Sequence, residues 1–256
     1  MNSLVKEKIA IIMPCYKVRK KINKVLNEII DVAETYKDEY EFFIYVVNDC
    51  CPENSWEEIT PNESIFILHH KKNMGVGAAF ITGFKTALSL NCDMYVKIDS
   101  DGQHLPIYLN EIIPYILNLP KYKLTLLKGN RFYLPNSILE MPLIRKVGSL
   151  FLEPIARESF GYRGLSDIAN GYFAFNKTTG LYLFNENFST TIKKRFLFES
   201  SLIQRCSQVE CSIHEFLMCA RYGNSWITSL NSWKMIFPAL IFFFSCYLRR
   251  FSNTYF

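Results

Sequence analysis

The chain has 256 residues, of which 49% are hydrophobic and 21% charged, a balance that excludes intrinsic disorder, collagen-like sequence and low complexity and is enough to bury a full core. Its net charge of +5 is unevenly placed: residues 193–256 hold eight basic residues (Lys193, Lys194, Arg195, Arg205, Arg221, Lys234, Arg249, Arg250) and three acids (Glu199, Glu210, Glu215), whereas residues 1–192 carry 21 of each sign. That placement argues against a nucleic-acid binder, which would stripe its basic residues, and for a local anionic partner of the last quarter.

The first half alternates apolar runs with helix-period segments. KIAIIMP (8–14) reads as a short buried strand. Val18, Ile22, Val25, Leu26, Ile29, Ile30 and Ala33 then recur at helical spacing. EFFIYVV (41–47) is a second strand, ending at the turn-rich NDCCPENS, with a short helix expected near Trp56–Ile59. IFILHH (65–70) is a third strand, and Met74 to Leu90 a helix with Phe80, Ile81, Phe84 and Leu88 on one face. DMYVKID (93–99) is a fourth strand, followed by a polar turn and a helix around Pro106–Leu117. Strands alternating with helices predict a parallel sheet covered on both faces, with ligands bound beyond the carboxyl ends of its strands. The polar turns after Met13, Val47 and Ile98 are therefore expected on one edge.

The second half is less regular. LTLLKGNRF (124–132) reads as a strand entering a basic turn, about 143–160 as a helix, GYFAFN (171–176) as a strand and Phe196–Cys206 as a helix. The expected organisation is one domain over 1–228 and a segment over 229–256. The latter contains MIFPALIFFFSCYL (235–248), fourteen uncharged residues, fewer than the roughly 20 that span a bilayer. Lys234 before it, Arg249 and Arg250 after it, and Trp233, Phe251, Tyr255 and Phe256 nearby suit a segment lying in a membrane interface, the alternative being a terminal helix buried on the core.

Eight cysteines occur, with no Cys-x-x-Cys and no paired Cys/His spacing for zinc. The N-terminal apolar run reads as a strand rather than an export signal, so the thiols are expected reduced, in the cytoplasm.

The sharpest chemical signal is KIDSDGQHLP (97–106), in which Asp99 and Asp101 flank one residue at a strand end. Both carboxylates can turn towards one hard divalent cation, and Mg²⁺ is typically held by one or two carboxylates plus substrate phosphates. Taken alone, Asp-x-Asp is better explained by a polar turn whose side chains bond backbone N–H groups.

The context decides. IAIIMPCYK (9–17), VVNDCCPENS (46–55), HHKKNMGVGAAFITGFKTAL (69–88), KIDSDGQHLP (97–106), KGNRF (128–132), DIANGYFAF (167–175) and FLFESSLI (196–203) occur in one order over about 1–225. In that order they resemble a family 2 glycosyltransferase of the GT-A fold, and within it the polyprenyl-phosphate glycosyltransferases, such as the dolichyl-phosphate mannose synthases. The resemblance implies an α/β, Rossmann-like, mostly parallel sheet with helices on both faces. It implies that Pro14 and Tyr16 line the base and ribose pocket and that Asp49 holds the base or ribose. Asp99, Asp101 and Gln103 match the metal and diphosphate motif, for Mg²⁺ or Mn²⁺. Arg131, and Arg145 fourteen residues later, resemble the arginines that bind an acceptor phosphate. Asp167 stands where related enzymes place a candidate base, and Arg221 resembles a residue closing over the donor diphosphate. The chain departs from the family at Val18, usually acidic, and at Asn48-Asp49-Cys50-Cys51, often Asp-Asp-Gly-Ser.

The activity implied is a metal-dependent, inverting transfer of a sugar from a nucleotide-diphosphate donor to a polyprenyl phosphate, by a protein peripheral to the inner face of the membrane. The alternatives are transfer to a lipid-linked saccharide in surface polysaccharide assembly (O-antigen or capsule), or an inactive membrane-associated subunit. A lipid phosphate is already anionic and needs no strong base, whereas a sugar hydroxyl would need one, from Asp167 or Glu199. A homo-oligomer is left open. NMGVGAAFITG (73–83) is glycine-rich at a helix start but lacks the Lys-Ser/Thr of a P-loop. His69, His70 and His214 read as structural, His104 as supporting the metal motif or as surface, and Glu199 equally as a site residue or a buried acid. Phe242–Phe244 reads as membrane or core rather than as a base-stacking platform.

Overall fold

In the computed structural model, residues 6–134, 141, 143–162, 164–185, 195, 197–222 and 233–251 are described, apart from the side chains of Ile144, Arg145, Trp233, Lys234, Met235 and Phe251. Strand β1 (Glu7–Cys15) lies inside the sheet, and its alternation sorts the core into two layers. Ile9, Ile11 and Met13 face helices α1 (Ile22–Thr35) and α3 (Leu109–Leu117), while Ala10 and Ile12 face α2 (Val76–Ser89). Both faces being covered explains why the run is apolar throughout.

Strands β2 (Tyr40–Asn48), β3 (Ile65–His69) and β4 (Met94–Lys97) join β1 in parallel. The second half supplies β5 (Thr125–Asn130), helix α4 (Leu143–Phe160), β6 (Phe173–Asn176), helix α5 (Lys177–Leu183), helix α6 (Phe198–Gln208) and β7 (Ser212–Leu217). The seven strands lie in the order β3-β2-β1-β4-β6-β5-β7. Only β6 runs against its neighbours, since it pairs antiparallel with both β4 and β5 while β5 and β7 are parallel. The mostly parallel α/β sheet expected from the sequence is thus present, with a reversed strand beside its centre. Two elements were not anticipated. Helix α5 is capped by the Asn176 side chain, which accepts from Thr179 N at 2.9 Å, and β7 extends the edge beside β5.

On the α2 face the halves are joined by rings. Phe80 is fully buried and meets Phe84 of its own helix, Phe173 and Phe175 of β6, Phe184 after α5 and Phe198 of α6, with centroids 5.2–6.3 Å apart.

Helix α7 (Trp233–Phe251) contains the whole apolar segment and packs on α4. Ala239, Phe242, Phe243 and Cys246 are buried with Ala156 and Phe160 in a third cluster. Its other side stays in solvent: Phe237 is 71% and Phe244 62% exposed, and on α4 Phe151 is 72% exposed. The segment thus packs on the core along one face, as the second alternative has it, and leaves the other face exposed. Among the described residues no helix is long and apolar enough to cross a membrane.

Replacing Phe80 by alanine removes the ring that ties α2 to β6, α5 and α6. Phe80→Ala is expected to lower the unfolding free energy by about 3–5 kcal/mol, measured by denaturant titration; a loss below about 1 kcal/mol, the scale of an average substitution, would contradict this role.

Candidate functional site

Parallel register brings the carboxyl ends of β1, β2 and β4 to one edge, with Cys15 opposite Asn48 and Ile12 opposite Lys97. The loops that leave those ends are tied together. Asp49 N donates to Cys15 O at 3.1 Å, Ser100 Oγ to Pro14 O at 2.5 Å and Val18 N to Ser55 Oγ at 3.0 Å. Lys17 and Cys50 both hold positive φ, at 57° and 53°, a conformation that non-glycine residues keep only where the surroundings enforce it. These loops border a cleft of about 610 Å³ lined by Pro14, Tyr16, Asp49, Asp99, Asp101, Gln103 and Arg131. Seven of the expected site residues thus share one cavity.

Asp49 is buried and bonded on all sides. It accepts from Met74 N at 2.8 Å and Gly75 N at 2.7 Å, and its Oδ1 lies 2.7 Å from His70 Nδ1. His70 Nε2 reaches Thr82 Oγ1 at 2.8 Å. The glycine-rich loop is therefore latched onto Asp49, with Gly75 at φ 99° where a side chain would be strained.

The Asp99–Asp101 pair sits at the end of β4 above a buried lysine. Lys97 has no exposed surface; its Nζ lies 2.5 Å from Asp99 Oδ1 and 3.3 Å from Glu199 Oε1, and donates to Gly171 O at 3.0 Å. Burial works against charge on Lys97, but Asp99 and Glu199 more than offset it and hold its pKa above the ordinary value. Burial would raise the Asp99 carboxyl; Lys97, with help from His104, holds it below the usual range. Among the described residues Asp101 has no ion-pair partner, and burial and then the charge of Asp99 push it upward against the weaker pull of Lys21 and Lys97. A β-carbon on Gly171 would stand 2.6 Å from Lys97 Nζ and 2.7 Å from Asp99 Oδ2, so only glycine fits there.

The donor set fits a hard cation that takes most of its ligands from substrate. Asp99 Oδ1 is engaged by Lys97 and Asp101 Oδ1 accepts from Gln103 N at 3.0 Å, so each carboxylate, both lining the cleft, keeps a second oxygen that could serve as a ligand. His104 is neutral, burial lowering its pKa to about 4, and its Nδ1 is taken up by Asp99 N at 3.2 Å. Among the described residues no group of three His, Cys, Asp or Glu side chains is assembled for a metal ion, so phosphate oxygens would have to complete the shell.

The other expected residues are placed differently. Asp167 is fully buried and does not line the cleft. It accepts from Arg131 three times, from the backbone N at 3.0 Å, Nε at 2.7 Å and Nη2 at 2.8 Å. Burial alone would raise its carboxyl, yet the Arg131 guanidinium holds it below the usual range, the opposite of what a base needs. Arg131 also donates through Nη1 to Tyr222 Oη at 3.2 Å. Arg221 is not among the residues that line the cleft and pairs with Glu28 of α1 at 2.9 Å, while its backbone N bonds Gln103 O at 3.0 Å. Arg145 falls within α4, and its side chain lies outside the described residues. Glu199, left open from sequence, lines the cleft as the second counter-charge of Lys97.

Three cleft or near-cleft charges were missed. Lys97 could have been found as a cation inside an apolar strand. Arg195 lines the cleft and donates to Asn73 Oδ1 at 2.9 Å. Glu153 of α4 lines the far side, where Leu152, Ala156, Ile168, Ala239 and Phe243 make the wall apolar.

Comparison with known proteins agrees with this layout. The family described as Glycosyl transferase family 2 matches residues 10–142, more than half of the chain. The chain is 33% identical over 186 residues, covering 66% of it and 70% of the relative, to UDP-N-acetylglucosamine–dolichyl-phosphate N-acetylglucosaminyltransferase of Methanococcus voltae. It is 28% identical over 176 residues, 66% of it and 46% of the relative, to dolichol-phosphate mannosyltransferase of Pyrococcus furiosus. Its fold is like that of mannosyl-3-phosphoglycerate synthase from Rubrobacter xylanophilus, with a TM-score of 0.60 at 13% identity over 96% of this chain and 75% of the other. It is also like glucosyl-3-phosphoglycerate synthase from Mycobacterium tuberculosis, crystallised with Mn²⁺, UDP and phosphoglyceric acid, with a TM-score of 0.59 at 15% identity over 93% and 77%.

Lys97→Met would leave Asp99 and Glu199 facing each other without a counter-charge. It is expected to destabilise the protein by about 3–5 kcal/mol in urea unfolding, and the double change with Glu199→Gln should recover part of that loss. Equal stability of wild type and Lys97→Met would show that the cluster is not held by charge.

Proposed function

Since the chain belongs to glycosyl transferase family 2 and is related to polyprenyl-phosphate sugar transferases, we propose that it is a metal-dependent, inverting glycosyltransferase moving a sugar from a nucleotide-diphosphate donor to a polyprenyl phosphate. The observation that carries this reading is the two-sided cleft. Polar loops with Asp99 and Asp101 form one side, and the apolar wall of α4 and α7 the other. A donor diphosphate suits the first side and a lipid phosphate bridges the two.

In the reaction, an oxygen of the acceptor phosphate attacks the anomeric carbon as the bond to the donor β-phosphate oxygen breaks, and the electron pair leaves with the nucleoside diphosphate. Mg²⁺ or Mn²⁺ bound by Asp99 and Asp101 supplies charge neutralisation to that leaving group. Lys97 keeps Asp99 ionised and oriented. Pro14 and Tyr16 border the base and ribose, and Asp49 acts through the loop it latches. Arg195, which lines the cleft, stands where a basic group can meet the diphosphate, while Arg221 is paired with Glu28. Arg131 faces the acceptor, and Asp167 is its positioning residue.

A phosphate acceptor is favoured over a sugar hydroxyl because both acids expected to act as base are committed, Asp167 to Arg131 and Glu199 to Lys97. We place the catalytic domain at 1–228 and an interfacial segment at 229–256, at the inner face of the membrane.

A panel of nucleotide sugars against undecaprenyl phosphate, with Mg²⁺ or Mn²⁺, tests the activity. Lipid-linked sugar is the expected product, and Asp101→Asn should lower its rate by about 100-fold or more while the unfolding curve is retained. Near-normal turnover of that variant would sink the metal assignment. Because α7 also packs on the core, membrane contact is best tested on its outer face. Phe237→Glu with Phe244→Glu should abolish co-sedimentation with anionic liposomes; retained co-sedimentation would count against the interfacial segment.

A further inference from the structure

Glu153 sits in the wrong company for an acid. Its neighbours on the cleft wall are Leu152, Ala156, Ile168, Ala239 and Phe243, and only 8% of its surface is exposed. Its Oε2 lies 3.6 Å from Arg157 Nη2 one turn along α4, beyond hydrogen-bond length. Among the described residues its Oε1 has no partner at all. A buried polar atom left unpaired destabilises a fold by about 1–3 kcal/mol, and the residue that carries this one borders the cleft.

We infer that Glu153 is an acceptor-recognition residue: its carboxyl donates a hydrogen bond to a phosphate oxygen of an acceptor whose apolar chain lies against Leu152, Ala156, Ala239 and Phe243. The inference rests on the reading of the acceptor as a lipid phosphate and adds the group that receives its head. Its protonation follows from its surroundings. Burial and then Asp167 raise the carboxyl to about 8, against the opposing pull of Arg157 and Arg131, with Glu215 of β7 adding to the rise. The positions of α7 that line the cleft, Ile236, Ala239 and Phe243, bring no charge. At neutral pH the side chain is therefore an O–H donor. A second donor is useful because much of the Arg131 fork is spent on Asp167 and Tyr222, so the guanidinium reaches an anionic head already largely neutralised.

The sign of the pH dependence is fixed by this assignment. Below about pH 8 the acid donates to the phosphate. Above it, the carboxylate repels the phosphate and has no proton to give. Glutamine keeps the shape and a donor but cannot ionise.

The test is direct binding of farnesyl phosphate to the full chain by calorimetry, between about pH 7 and pH 9.5. Wild-type Kd is expected to rise about tenfold or more across that range, since each unit above the pKa removes a factor of about ten from the competent form. The Kd of Glu153→Gln is expected to stay level, within about twofold. Farnesol, which has no phosphate, gives a control that needs only the wild type, and its binding should not follow pH. If Glu153→Gln tracks the wild type, or if farnesol weakens in step with farnesyl phosphate, the inference is overturned while the acceptor reading stands. If the wild type binds no farnesyl phosphate at any pH, the acceptor reading falls and the inference with it. A base acting on a hydroxyl would show a different pattern, a loss of turnover in Glu153→Gln at every pH with binding unchanged, and this too would overturn the inference.

Discussion

A lysine buried at the end of a central strand must find counter-charges within reach, and the geometry of the cleft follows from how Lys97 does so. Its Nζ is shared by Asp99 of the loop after β4, Glu199 in the first turn of α6 and the carbonyl of Gly171 before β6. Three separate segments are thereby drawn to one point, and the reversed strand β6 is fixed beside β4 where the site needs it. Glycine at 171 is required by the same crowding, because a side chain there would collide with both members of the ion pair. Isolated burial of such a charge would be prohibitive, whereas a cluster with good geometry is tolerated and specifies one arrangement. One oxygen of Asp99 is spent in this way and one of Asp101 on Gln103 N, so a cation in the cleft would meet two half-satisfied carboxylates and would draw its remaining ligands from phosphate oxygens.

The same rule explains the acids that looked catalytic. A carboxylate committed to a fixed cation or backbone donor is taken up by the frame of the site. Asp167 is held by a bidentate guanidinium and a backbone N–H, and Glu199 lies against Lys97. Both are bound into the frame and serve to hold a cation in place. Glu153 is the contrasting case, a buried carboxyl whose nearest cation, Arg157, stands beyond hydrogen-bond length and whose Oε1 has no partner among the described residues.

The order of strands and helices through α3 was legible because periodicity in a doubly covered sheet is strong: apolar runs without alternation bounded by turn residues have few other readings. β7 was not, because Ser212, His214 and Glu215 interrupt its apolar pattern, and its identity as a strand comes from pairing with β5. The gathering of Pro14, Tyr16, Asp49, Asp99, Asp101, Gln103 and Arg131 was legible from motif order. Arg221 was not, because its partner Glu28 stands 193 positions earlier, and no local signal announces a contact across that distance. Nor could the sequence show that Arg131 and Asp167, read as two separate functions, neutralise each other.

The basic excess of the last quarter also changes meaning once its members are placed. Arg221 is paired with Glu28. Arg205 donates to Tyr182 O at 3.2 Å. Arg250 donates to Glu158 O at 2.6 Å, at the C-terminal end of α4, where a cation complements the unpaired carbonyls of the helix. Arg195 belongs to the cleft. Much of the charge that pointed to an anionic partner is therefore used inside the fold, and the outward feature of this quarter is apolar. Phe237, Ile241, Phe244 and Leu248 on α7, with Leu150 and Phe151 on α4, are all more than half exposed. Phe243, buried between these helices, lines the cleft together with Asp99 and Asp101. If the outer face met a bilayer, attachment would be governed first by apolar area and only second by charge.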